Sequence, residues 1–254
     1  MSESGFKNLA VIILAAGIGK RMNDPSRAKV MALLSGKPLI HHVLDKVVLL
    51  SPKETYLIVG HQMQSVVEYI NSKNFDLIYV EQNEQLGTGH AVNQAESFLN
   101  DFDGEVLILC GDVPNLRAST LEKFISRHFN ENSGISVLST CAPNPNGYGR
   151  IIRDAEKEFL KIIEEKDAGD DEKKVNEINS GVYIAKAKIL FPALKRISNN
   201  NAQAEYYLTD VIDILRTDGA VVKAFPSAEF DEVQGVNSPE DLKKAEEYFN
   251  KLSN

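Results

Sequence analysis

Cysteine is scarce in this chain, with two among 254 residues, Cys110 and Cys141. Neither belongs to a Cys-x-x-Cys pair, which argues against a zinc site, and both are expected to be reduced, small, buried residues. Long hydrophobic runs are missing as well. No apolar stretch approaches the ~20 residues needed to span a bilayer. The first eight residues lack the basic region followed by an apolar run that marks a secretion signal. A cytoplasmic protein is therefore expected, with no membrane partner. No Pro-rich or Ser-rich linker divides the chain, and no internal repeat recurs at a fixed period. Positive charge is in deficit, 28 Lys and Arg against 36 Asp and Glu, for a net charge of −8. That balance argues against a general nucleic-acid binder, so any polyanion must be held by a local basic patch. What is present is ordinary for a globular protein: 43% hydrophobic and 25% charged residues, in a length that can bury a full α/β core.

The most informative segment runs from Leu9 to Met22. A short apolar run, residues 9–14, fits a buried parallel strand. Ala15, Ala16, Gly17 and Gly19 follow, then Lys20 and Arg21, with Lys29 within reach of the same loop. Small residues let backbone N–H groups approach a ligand closely, and the cations balance several negative charges. The combination suits a nucleoside triphosphate. It is neither the dinucleotide fingerprint, because Met22 stands where the third glycine belongs, nor a Walker A loop, because no Gly-Lys-Ser/Thr follows. A strand-to-helix turn with a solvated basic end explains the segment equally well.

Apolar runs alternate with amphipathic stretches through the first half. Strands are predicted over 9–14, 55–59, 75–80 and 105–110, and helices over 38–50, 62–72, 89–99 and 116–129. This alternation implies right-handed crossovers and a mostly parallel sheet, with ligands beyond the carboxyl ends of its strands. The second half is less regular. Strands are predicted over 135–140, 148–153, 159–164, 177–185 and 221–225, with helices over 187–196, 207–216 and 239–252. The charged run 164–174 reads as an exposed loop. The fold class expected is Rossmann-like α/β: a mostly parallel twisted sheet with helices on both faces, plus a smaller antiparallel insertion.

Several segments carry candidate chemistry. In Gly87-Thr88-Gly89 a tight bend exposes backbone donors and acceptors, and the nearby Gln82 offers both to the edge of a base. The alternative is a helix entry capped by Thr88. Asp112 follows an apolar strand, where a hard cation would meet a phosphate; the alternative is a turn before Pro114. Gly149, Glu164 and Asn179 stand at turns and strand ends where hydroxyls and an amide could bind. Their alternatives are a hairpin turn, a solvated charge run and a turn-forming Asn. Asn237 precedes a helix start for which Ser238 is a candidate cap. Spacing alone does not bring Asn237 to Asp112.

Taken together and in order, these segments resemble the N-terminal uridyltransferase domain of the bacterial bifunctional enzymes that make UDP-N-acetylglucosamine, within the sugar-nucleotide pyrophosphorylases. The resemblance runs from about Leu9 to Asn237. It is carried most specifically by Glu84-Gln-Leu-Gly-Thr-Gly-His90, Asn146-Gly-Tyr-Gly-Arg-Ile151, Glu177-Ile-Asn-Ser-Gly181 and the segment 199–210. The resemblance implies a GT-A-like nucleotidyltransferase fold and one domain over 1–254. Its nucleotide-binding part would cover about 1–130, its sugar-binding part about 131–240, and a C-terminal helix about 239–252. It implies UTP and N-acetylglucosamine 1-phosphate as substrates and Mg²⁺ as cofactor. Leu14, Ala15, Ala16 and Gly17 would line the uridine and phosphates, and Arg21 and Lys29 would hold the phosphates. Gln82, Gly87 and Thr88 would read uracil and ribose. Asp112 and Asn237 would bind the metal, and Gly149, Glu164, Asn179 and Tyr206 would contact the sugar. The same chemistry on another hexose or amino-sugar 1-phosphate, or a non-catalytic sugar-nucleotide sensor, would use the same fold.

Three departures from the family pattern stand out. Arg27-Ala28 replaces a Leu-Pro before Lys29, after what reads as a one-residue insertion, which should leave that loop less rigid. Cys110 replaces an aromatic residue before Gly111-Asp112, which changes the sugar-side wall. The family's acetyltransferase domain, a left-handed β-helix of hexapeptide repeats, has no counterpart in these residues, so no acetyl-CoA activity is expected. The oligomeric state is not legible.

Overall fold

Six consecutive apolar residues, Leu9–Leu14, form the first strand, β1. Its side chains alternate between two layers. Ala10 and Ile12 pack with Tyr56, Ile58, Val106 and Ile108, whereas Leu9, Val11 and Ile13 pack with Leu57, Leu107 and Leu109. A strand buried on both faces belongs in the middle of a sheet covered on both sides, and β1 lies there. The coordinates are a computed structural model that describes residue 6 and residues 8–17, 28–60, 62–226 and 228–253.

A small antiparallel hairpin, β2 (Leu33–Leu34) and β3 (Lys37–Pro38), leads into α1 (Leu39–Leu50). Leu39, Ile40, Val43, Leu44, Val47 and Leu50 recur at helical spacing and are buried. The helix stops where Ser51 takes a left-handed φ of 49°. Then follow β4 (Glu54–Val59), α2 (Met63–Asn71), β5 (Ile78–Glu81), α3 (Thr88–Asn93), α4 (Glu96–Leu99), β6 (Glu105–Cys110) and α5 (Ala118–Asn130). The second half begins with β7 (Ile135–Cys141), the hairpin β8 (Arg150–Arg153) and β9 (Phe159–Ile163), β10 (Glu177–Lys186) and α6 (Ala187–Leu194). It ends with α7 (Val211–Thr217), β11 (Val222–Pro226), α8 (Phe230–Val233) and α9 (Pro239–Ser253).

Seven of these strands run in the order β11-β7-β10-β6-β1-β4-β5, with β8 and β9 attached beside β10. The pairs β1–β4, β1–β6, β4–β5 and β7–β11 are parallel. Within that order of seven described strands β10 reverses direction, pairing antiparallel with both β6 and β7, and the β8–β9 hairpin beside it is the antiparallel insertion. The expected fold class is therefore the one observed. Among the described residues no helix is long and apolar enough to cross a membrane.

Several local expectations are corrected. The helix expected over 89–99 is broken into α3 and α4, because Gln94 and Ala95 bond to carbonyls three residues back and tighten the chain there. The strand expected over 75–80 begins only at Ile78, which pairs with Tyr56. Phe75 instead turns its ring edge to His41 of α1, 5.3 Å away. The helix expected over 207–216 starts at Val211, after a 3-10 turn over Leu208–Asp210. Cys141 is exposed at the end of β7, not buried, and both cysteines are free thiols.

The segment joining β11 to α9 is anchored by α8. Glu232 is fully buried there, accepting a hydrogen bond from Thr120 Oγ1 at 2.8 Å and pairing with the Arg117 guanidinium. Glu232→Ala would leave the buried Thr120 hydroxyl without its acceptor and the half-buried Arg117 guanidinium with Glu229 alone. The expected cost is about 2 kcal/mol, read as a lower urea midpoint at unchanged slope.

Candidate active site

The parallel strands deliver their carboxyl ends to one edge of the sheet. Leu14 is in register with Ile58 and with Cys110, and Val59 with Glu81. Backbone bonds continue past the strand ends: Ala15 N–H donates to Ile58 at 2.9 Å, Gly111 N–H to Leu14 at 2.9 Å and Gln82 N–H to Val59 at 2.8 Å. The loops that leave this edge enclose a cavity of about 510 Å³. Leu14, Ala15, Ala16, Gly17, Lys29, Gln82, Gly87, Thr88, Asp112 and Asn237 all line it. Arg21, expected beside Lys29, lies outside the described residues, as do Gly19, Lys20, Met22 and Arg27.

Three charged or polar groups converge on one side of the cavity. Lys29, in a short 3-10 turn, pairs its ammonium with the Asp112 carboxylate and donates to Asn237 Oδ1 at 3.0 Å. Asn237 arrives there because its flanks are pinned. Val236 N–H donates to the Asp112 carbonyl at 2.9 Å. Behind Asn237 the start of α9 is capped: Ser238 Oγ accepts from Asp241 N–H at 3.2 Å, and Asp241 Oδ2 accepts from Asn237 N–H at 3.0 Å. Asn237 Nδ2 donates to the Gly235 carbonyl at 3.2 Å, which leaves its oxygen for the centre. A carboxylate and an amide oxygen thus meet on one cation, Lys29 Nζ. Hard oxygen donors in that arrangement also suit Mg²⁺, whose remaining positions are usually filled by water and phosphate oxygens. Among the described residues, no three His, Cys, Asp or Glu side chains gather as metal ligands.

Beside this centre, burial pushes the Cys110 thiol up to about 12, and the nearby Asp112 carboxylate adds to the shift. Cys110 therefore stays protonated and is no nucleophile at neutral pH.

The opposite wall is the loop before α3. Gly87 has a φ of +118°, and the chain there is bonded to the Tyr206 backbone on both sides. Tyr206 N–H donates to Leu86 at 2.7 Å, and Gly89 N–H donates to the Tyr206 carbonyl at 2.8 Å. Thr88 makes no side-chain cap for α3; its hydroxyl accepts from Leu208 N–H at 3.1 Å. Pinning residues 206–208 in this way is what delays the start of α7.

Gly149, Glu164 and Asn179 are gathered next to the cavity rather than in its lining. Asn179 N–H donates to the Gly149 carbonyl at 2.9 Å, and a Cβ on Gly149 would stand 3.4 Å from Glu164 Oε2. Asn179 Oδ1 accepts from Gly181 N–H at 2.9 Å, and the Gly181 carbonyl lies 3.6 Å from Cys110 Sγ, the shared wall. Glu164 is half-buried, not on an exposed loop as its charged neighbours suggested, and Thr209 Oγ1 donates to it at 3.1 Å. Burial raises the Glu164 carboxyl above its ordinary range, and the acidic neighbours Asp210, Asp167 and Glu205 add to the shift. A raised acid favours the fold below its unfolded pKa, and that contribution is lost as pH rises through the folded value. Glu164→Gln is therefore expected to raise Tm by about 2–4 °C at pH 7, and the gain should vanish near pH 4. Thermal scans at the two pH values check this.

Gln85 and Glu205 also line the cavity and were not singled out from sequence. Gln85 sits in the quoted segment beside Gly87, which is the signal that could have found it. Glu205 lies in the segment 199–210, beside Tyr206, which is the corresponding signal for it.

The chain matches the nucleotidyl transferase family over residues 10–242 and belongs to it. Among curated relatives, it is 43% identical to the bifunctional protein GlmU of Geobacillus sp. (strain WCH70) over 92% of this chain and 50% of that one. To the bifunctional protein GlmU of Clostridioides difficile (strain 630) it is 42% identical, over 97% of this chain and 53% of that one. The chain thus spans about half the length of these relatives. Its fold resembles that of UDP-glucose pyrophosphorylase complexed with UDP-glucose, at a TM-score of 0.76 and 19% identity, covering 95% of this chain and 98% of that one. For the apo form of a UDP-glucose pyrophosphorylase the TM-score is 0.78 at 17% identity, covering 96% and 99%.

Proposed function

We propose that this chain is a Mg²⁺-dependent uridylyltransferase. It would join UTP and N-acetylglucosamine 1-phosphate to give UDP-N-acetylglucosamine and pyrophosphate, in the cytoplasm. The observation that carries the reading is the meeting of Lys29, Asp112 and Asn237 in one cavity with the loop from Leu14 to Gly17 and the bend at Gly87. In this reading residues up to about 130 hold the nucleotide and residues from about 131 to 240 hold the sugar.

A phosphate oxygen of the sugar 1-phosphate attacks the α-phosphorus of UTP. A new P–O bond forms, the bond to the bridging α–β oxygen breaks, and pyrophosphate leaves with its electron pair. The nucleophile is already an anion, so no general base is needed. The task left to the protein is positioning and neutralising charge. Lys29, and Arg21 with it, would hold the phosphates. Asp112 and Asn237 would hold the metal, which when bound acts as a Lewis acid on phosphate oxygens. Gln82, Gly87 and Thr88 would bind the uridine. Gly149, Glu164, Asn179 and Tyr206 would bind the sugar.

The test is pyrophosphate release from UTP and Mg²⁺ across a panel of sugar 1-phosphates. Release that peaks with N-acetylglucosamine 1-phosphate supports the proposal. A peak with another sugar keeps the chemistry and moves the substrate to a wall that includes Cys110. Tight UTP binding with no release for any sugar would turn the reading toward a sensor.

A further inference from the structure

Gln82 spends its amide nitrogen inside the protein. Nε2 lies 2.9 Å from His90 Nδ1 and 3.3 Å from the Gly87 carbonyl oxygen, and the residue is only 3% exposed. A carbonyl oxygen can only accept, so the nitrogen belongs on that side. The Gln82 carbonyl oxygen is then the end left for the cavity that the residue lines. His90 Nδ1 must accept from the same nitrogen, which puts the ring proton of the neutral imidazole on Nε2. The Gln94 amide competes for the ring, with Nε2 at 3.1 Å from His90 Nε2 and 3.1 Å from the His90 carbonyl. Gln94 is half-buried and can exchange those bonds for water at little cost, whereas Gln82 cannot. The ring also sits on a fixed frame, because the neighbouring Gly89 N–H is bonded to the Tyr206 backbone.

We infer that His90 is a positioning residue for base recognition: by accepting from Gln82 Nε2 it turns the Gln82 carbonyl oxygen toward the bound base. Facing ring position 3 of a pyrimidine, that acceptor selects a base with an N–H there, as in uracil. At the same position cytosine presents a bare lone pair, and a site built around one hydrogen bond rejects the ring that cannot make it. The inference rests on the reading of the cavity as a UTP site and names the residue that sets its base preference. His90 stands outside every role assigned above and touches neither phosphate nor sugar groups in that reading.

The test is calorimetric binding of UTP and of CTP, each with Mg²⁺ and no sugar phosphate, to the wild type and to His90→Leu and His90→Asn. The leucine removes the acceptor and frees the Gln82 amide to turn over. The UTP-to-CTP affinity ratio is expected to fall about tenfold or more, mostly through weaker UTP binding. Asparagine can place its oxygen where Nδ1 stood and should restore much of the ratio. The Gln82 side-chain amide resonance should move in His90→Leu and return in His90→Asn. If the leucine variant fails to fold, His90→Gln serves, since it keeps a polar group in the place of Nε2 and offers none at Nδ1. A ratio unchanged in a folded variant, or equal losses for both nucleotides, overturns the inference alone. A wild type that binds neither nucleotide overturns the uridylyltransferase reading and this inference with it.

Discussion

Asp112→Asn is expected to lower kcat for pyrophosphate release by at least about 10³ while leaving the fold intact. Losing a single preorganised electrostatic group at a reacting centre costs about 10²–10³ in rate. Here the loss is compounded, because in the proposed reading the same carboxylate holds the metal and sets the position of Lys29. The fold should tolerate the change. Asp112 supports the chain through its backbone carbonyl, which accepts from Val236 N–H at 2.9 Å, and asparagine keeps that bond. Lys29 keeps Asn237 Oδ1 as a partner. Steady-state rates with Mg²⁺ varied, alongside a thermal scan, separate the two effects. Turnover within tenfold of wild type would mean that the cation is not held by this carboxylate.

The second large effect is expected at Gly87. Its φ of +118° with ψ of 173° is a region that only glycine enters freely. A Cβ there would stand 2.6 Å from the Tyr206 carbonyl oxygen and 2.7 Å from its nitrogen. These are backbone atoms held on both sides by hydrogen bonds, so no rotamer change relieves the clash. Gly87→Ala should therefore cost about 3–5 kcal/mol, combining backbone strain with overpacking. That corresponds to a fall in Tm on the order of 10 °C. UTP affinity should fall as well, because the displaced loop carries Gln82's partner carbonyl and Thr88. A Tm within 2 °C of wild type would show that the contact between Gly87 and Tyr206 yields more easily than its geometry implies.

Much of this architecture was legible residue by residue. The six apolar residues of β1 and the five of β6, Val106 to Cys110, announce central strands, because a strand buried on both faces has no polar alternation to disguise it. The apolar spacing in α1 and the Ser-Pro entry to α9 announce helices for equally local reasons. Asp112 could be singled out as a candidate because it stands two residues beyond such a strand.

Other features depend on parts of the chain that no local pattern connects. Asn237 meets Asp112 only because one backbone bond and one helix cap hold its flanks. Glu164 sits in a run of charges that reads as solvated, yet it is half-buried, with Thr209 bonded to it and Gly149 beside it. The late start of α7 and the left-handed bend at Gly87 are one event seen from two places, since both follow from the bonds between Tyr206 and the loop before α3. The pairing of His90 with Gln82 is of the same kind. Hydrophobic periodicity is written into the chain locally because burial of a face repeats with the helix or strand. The partners of polar side chains are chosen by which loops the sheet brings to its carboxyl edge, and that choice exists only once the sheet has formed.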